Sequence, residues 1–179
     1  MKSSSVKRLA TLAMFLALAV LLNYVENLLP MIVPVPGVKL GLANTMNLII
    51  LYYYGRRDYF AIGLLRVLLM AVMFTGVVSY AFFLSLSGFL LSSLVVIGLS
   101  YIKKLSIFSL SVASAIFHGI GQICCAILLY WTNDGSSIYL FTYLPILIVS
   151  GAITGVLIAY LSYLIITRLN KTSLFRDIN

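Results

Sequence analysis

The chain has 179 residues, 63% of them hydrophobic and 9% charged, with twelve basic and four acidic side chains and a net charge of +8. Soluble domains carry about 25% charged residues. This composition, with a mean hydropathy of +1.13, excludes a soluble enzyme and places the chain in the lipid bilayer. It also excludes a nucleic-acid binder, because the basic residues collect in the breaks between apolar segments.

Apolar runs of about 20 residues span a bilayer. The breaks divide the chain into six, near 8–29, 38–54, 58–76, 79–102, 106–130 and 144–168. The expected fold is therefore all-α, a polytopic bundle of six transmembrane helices forming one membrane domain over residues 1–179. Ten basic residues (Lys2, Lys7, Arg8, Arg56, Arg57, Lys103, Lys104, Arg168, Lys171 and Arg176) fall in alternate breaks, so alternating helices bring them to one side. The positive-inside rule makes that side, with both termini, cytoplasmic in a bacterial inner membrane and puts residues 131–143 outside. Lys39 and Arg66 are the two basic residues left within spans.

The first segment carries Ala10, Ala13 and Ala17 at i, i+3, i+7, a face that lets another helix approach closely. Toward its far end stand Asn23, Asn27 and Glu26, the only acid within a predicted span and hence a candidate partner for Lys39 or Arg66. The Pro34–Gly37 turn opens the second segment, whose Lys39, Asn44 and Asn47 share a face, the asparagines roughly 140° and 80° around from the lysine. Polar groups in a spanning helix turn toward the protein interior or a cavity. Tyr52, Tyr53 and Tyr54 close the segment and fit an aromatic belt.

In the third segment, Arg66 lies about 12 Å from the start at Asp58, too deep to reach the interface and therefore in need of an internal partner or an anion. Ser85, Gly88 and Ser92 give the fourth segment a small-residue seam. The fifth bears a polar stripe, Ser111, Ala115, His118 and Gln122, at i, i+4, i+7, i+11. His118 and Gln122 are read as ligand contacts near the midplane. Its adjacent Cys124 and Cys125 have no metal-site spacing and are read as packing residues. The sixth contains Gly151-x-x-x-Gly155, a helix-packing motif.

No G-x-x-x-x-G-K-[ST] motif is present, so the chain does not hold nucleotide in a P-loop. Glu26, Asp58, Asp134 and Asp177 are too scattered to form a magnesium-binding carboxylate cluster. No residue is assigned as catalytic, and neither a metal nor another cofactor is expected. Small-molecule binding within a helical bundle is the better reading than catalysis.

Three motifs, Pro36-Gly-Val-Lys-Leu-Gly-Leu-Ala-Asn44, Leu64-Leu-Arg-Val-Leu-Leu69 and Ala115-Ile-Phe-His-Gly-Ile-Gly-Gln122, give the chain a further identity. It resembles the Gx transporter family, also labelled heptaprenyl diphosphate synthase component I, along nearly its whole length. That family is similar to the substrate-binding S components of energy-coupling factor (ECF) transporters. The resemblance implies a six-helix bundle with an outward-facing pocket, docked through small residues of helix one on a transmembrane coupling subunit and two ATPases. Ala10, Ala13 and Ala17 match that docking face, with Ala13-x-x-x-Ala17 at its centre. Lys39, Asn44, Arg66, His118 and Gln122 occupy motif positions. Together with Asn47 they are the expected substrate-binding residues for an anionic or amphipathic ligand. Two alternatives stand beside uptake. One is a non-catalytic subunit associated with heptaprenyl diphosphate synthesis. The other is a structural subunit of a membrane redox or transport complex.

Overall fold

In lipid every backbone amide must find its partner inside the protein, so long apolar runs become helices. The computed structural model describes residues 2–28, 40–102, 104–130 and 136–171. Among these there is no strand. Six helices follow in order: α1 (Lys2–Leu28), α2 (Leu42–Tyr54), α3 (Arg56–Met70), α4 (Tyr80–Leu99), α5 (Ile107–Leu129) and α6 (Leu144–Leu169). A π-helical turn, Ala71–Thr75, extends α3, and a 3₁₀ helix, Ser136–Tyr143, precedes α6. Local chemistry sets several ends. The Ser79 hydroxyl accepts the Phe82 amide at 3.1 Å to start α4, and the Ser106 hydroxyl accepts the Ser109 amide at 3.3 Å to start α5. Pro145 stands in the first turn of α6, where its missing N–H costs nothing.

Five of the helical stretches are long and apolar enough to cross a membrane: Val6–Leu28, Arg56–Thr75, Tyr80–Leu99, Ile107–Leu129 and Leu140–Leu169. The protein is a polytopic helical membrane protein. The second helix is shorter than the expected 38–54, since Leu40 and Gly41 lie outside it; Lys39 falls outside the described residues. With 13 residues, α2 is about 20 Å long, against a hydrocarbon core of about 30 Å. It survives by being surrounded: eight of its residues are buried, and Leu48, Ile49 and Ile50 are wholly so.

The helices pack as two trios. α4, α5 and α6 are the more intimate, with α5 in the middle, and small residues make this possible. A Cβ on Gly121 would lie 2.7 Å from the Ser87 carbonyl oxygen of α4, and one on Gly155 would lie 2.7 Å from the Val112 Cα of α5. Gly151 lies against Ala115, so the expected Gly151–Gly155 motif does pack a helix. In the other trio, Leu12, Phe15 and Ala19 of α1 close over Met46, Ile49, Ile50 and Tyr53 of α2, with Ile166 of α6 completing the cluster. Ala10, Ala13 and Ala17 stay exposed on α1.

The basic ends of the helices come together. Arg8 of α1 pairs with Asp58 of α3. The Arg56 Nε donates to the Ser100 hydroxyl at 2.8 Å, and its guanidinium lies 3.7 Å from the Tyr101 ring centroid. Tyr53 departs from the expected interfacial belt. Its ring is buried and its hydroxyl donates to Asn170 Oδ1 at 2.6 Å, because the end of α2 is enclosed by α1 and α6.

Candidate functional site: a polar cavity between the trios

Stopping α2 short leaves its first amides inside the bundle, where no water is available to bond them. Glu26 supplies the missing acceptors. One carboxylate oxygen accepts the Gly41 amide and the other accepts the Leu42 amide at 3.1 Å. Gly41 takes the left-handed backbone (φ 77°) that turns its N–H toward the carboxylate. A negative group here also complements the positive end of the helix dipole. The sequence expectation paired Glu26 with a lysine or arginine. Among the described residues the single ion pair is Arg8–Asp58, so Arg66 and Glu26 interact through space without a direct contact.

Above this cap lies a cavity of about 160 Å³ with walls from all six helices. Its mouth, at the end opposite the basic one, includes the exposed residues Asn27, Thr75 and Ala81. Val67, Phe82, Phe89, Leu147 and Ile158 supply apolar wall, and Ser85, Ser92, Ser150 and Thr154 supply hydroxyls. Asn44 reaches across from α2 to α5, where its amide nitrogen donates to the Ser114 hydroxyl at 3.1 Å.

Four of the six expected binding residues meet in this cavity: Asn44, Arg66, His118 and Gln122. Arg66 is ten residues beyond the start of α3 at Arg56, about 15 Å along the axis. It is 8% exposed, and its Nε has no hydrogen-bond partner among the described residues. Gln122 is also 8% exposed, with its Oε1 unpartnered among the described residues. The His118 ring lies against α4 at Gly88, whose lack of a side chain makes room for it. Asn47 does not line the cavity. It is 1% exposed, turned toward Gly63 of α3, with both amide atoms lacking a partner among the described residues. Lys39 lies outside the described residues.

The structure adds Glu26, Asn23, Asn27, Ser111, Ser114, Ser150 and Thr154 to the wall. Ser114 and Ser111 were within reach of the sequence, being one turn apart on the polar stripe of α5. The Ser150–Thr154 pair at i, i+4 gave a similar signal on α6. The role of Glu26 as a cap for a helix 15 residues away left no local signature.

A second, larger space of about 1440 Å³ opens at the basic end. Leu48, Leu51, Phe60 and Ile107 line its interior, and Arg8, Arg56 and Arg57 stand on its rim. The two spaces approach each other closely. On α2, Asn44 lines the cavity and Leu48, four residues nearer the basic end, lines the crevice, a step of about 6 Å.

No curated protein and no solved structure matches the chain. The model of the family described as heptaprenyl diphosphate synthase component I matches residues 15–165, and the chain belongs to that family.

Proposed function

We propose that this protein captures a small anionic molecule as the substrate-binding subunit of an uptake transporter, in the manner of the S components of ECF transporters. The observation that carries the reading is the Arg66 guanidinium, which is buried in an apolar bundle, lines a polar cavity and keeps an Nε without a hydrogen-bond partner among the described residues. A buried charge without a counter-ion or full hydrogen bonding is costly. An anionic ligand group would remove that cost through charge-assisted bonds worth roughly 1.5–3 kcal/mol each. Asn44, His118 and Gln122 orient the ligand. Lys39 and Asn47 belong to the same proposed set, Lys39 as a second cation and Asn47 as support behind the α2 wall.

On this reading the protein sits in the bacterial cytoplasmic membrane with both termini inside. The cavity mouth faces outward, and the exposed Ala10, Ala13 and Ala17 face of α1 meets a transmembrane coupling subunit served by ATPases. The chain needs no cofactor. Purification from native membranes with identification of bound proteins tests the assignment. Recovery of a coupling subunit with paired ATPases supports it, and their consistent absence with another stable partner refutes it.

The family description favours a second reading, a non-catalytic membrane subunit for heptaprenyl diphosphate synthesis. The crevice at the basic end is its supporting observation. Its apolar walls suit a prenyl chain, and its arginine rim suits a diphosphate. Recovery of a soluble prenyl synthase in the same purification would select this reading over transport.

A further inference from the structure

Six buried side-chain polar atoms lack a hydrogen-bond partner among the described residues, and the two that belong to cavity-lining residues are Arg66 Nε and Gln122 Oε1. They come from different trios, Arg66 from α3 and Gln122 from α5. Two polar groups of the same wall are already engaged. Both Glu26 oxygens are taken by backbone amides, and the Asn44 amide nitrogen is bonded to Ser114. The residues lining the cavity thus include one cation and one amide that each keep a buried, unmatched atom among the described residues, with Val67, Phe89 and Ile158 as apolar wall.

Size restricts the ligand further. A cavity of about 150 Å³ is enough to admit benzene, and this one measures about 160 Å³. A prenyl chain or a phospholipid tail needs several times that volume. We infer that the cavity takes a compact molecule the size of a single ring, with an anionic group for Arg66 at one end and a hydroxyl for Gln122 at the other. A hydroxyl serves the Gln122 amide whichever way that amide is turned, since it both donates and accepts. The inference rests on the capture reading above and narrows it. Longer amphipathic anions belong to the crevice at the basic end, not to this cavity.

Equilibrium dialysis of the purified full chain in detergent tests this with para-hydroxybenzoate, benzoate, phenol, methyl para-hydroxybenzoate and geranylgeranyl diphosphate. Para-hydroxybenzoate binds about tenfold more tightly than benzoate, phenol or the methyl ester, each of which lacks one matched group. Gln122→Leu abolishes the preference for para-hydroxybenzoate over benzoate. Arg66→Gln abolishes the preference for the acid over its ester, and the comparison of acid with ester on the unmodified protein gives the same information should that variant fail to fold. Geranylgeranyl diphosphate does not compete with the ring acids. If it binds in an Arg66-dependent way and the ring acids do not, the size inference is overturned while capture of an anion stands. Ring-acid binding indifferent to both Arg66 and Gln122 also overturns the inference. If neither class binds at millimolar concentration, the inference and the capture reading fall together.

Discussion

Replacing Glu26 with alanine strips the acceptors from the Gly41 and Leu42 amides at the start of α2. Each amide left unbonded away from water costs about 1–3 kcal/mol, so the alanine variant loses about 2–6 kcal/mol. Glu26→Gln keeps one carbonyl oxygen and loses about half of that. For a chain of this length, 1 kcal/mol moves the unfolding midpoint by about 2–4 °C. Thermal unfolding of the detergent-solubilised protein, followed by circular dichroism, then shows a fall of about 5–20 °C for Glu26→Ala and a smaller one for Glu26→Gln. A double-mutant cycle with Arg66→Gln separates capping from charge pairing. Capping predicts nearly additive losses, since Glu26 and Arg66 are not in contact. An alanine variant that melts with the unmodified protein refutes the cap, as does a glutamine variant equal to alanine with strong coupling to Arg66.

Gly121→Ala forces α4 and α5 apart, because its Cβ meets backbone atoms 2.7 and 2.9 Å away; the same melting assay shows a loss of about 1–3 kcal/mol. Gly98→Ala, where no described residue lies within 4 Å of the added Cβ, is unchanged or gains up to about 1 kcal/mol from helix propensity. Ala13→Trp and Ala17→Trp abolish uptake in cells while leaving ligand binding and melting unchanged, because both positions are exposed on α1. Uptake that survives both changes refutes docking through this face. A cysteine at Ser136 reacts with a membrane-impermeant thiol reagent in intact cells and one at Lys171 does not, and the reverse pattern refutes the assigned orientation.

Much of this architecture was legible because its causes are local. Apolar runs broken at glycine, serine and basic residues gave the helix number, and periodicity put Ser111, His118 and Gln122 on one face of α5, where the structure finds them. Reading α2 failed for the same reason that the helix is stable. It is packed on most sides, so its faces are not distinguished by apolar character. Asn44 and Asn47, about 60° apart on the helix, meet different neighbours, one the Ser114 hydroxyl and the other the Gly63 backbone. The start of α2 was misplaced because the acceptor that fixes it belongs to Glu26, on another helix. Pairing Glu26 with Arg66 followed from counting charges, whereas two backbone amides take both carboxylate oxygens.

The close approach of the cavity to the crevice has an electrical consequence. A membrane potential falls where charge cannot move, so water filling both spaces would confine the drop to the layer between Asn44 and Leu48. The field would then be compressed from about 30 Å of hydrocarbon into about 6 Å. Moving one elementary charge through 100 mV is worth about 2.3 kcal/mol. A monovalent anion leaving Arg66 for the crevice would meet nearly all of that work within one helical turn, whereas its approach to Arg66 from the cavity mouth would meet almost none.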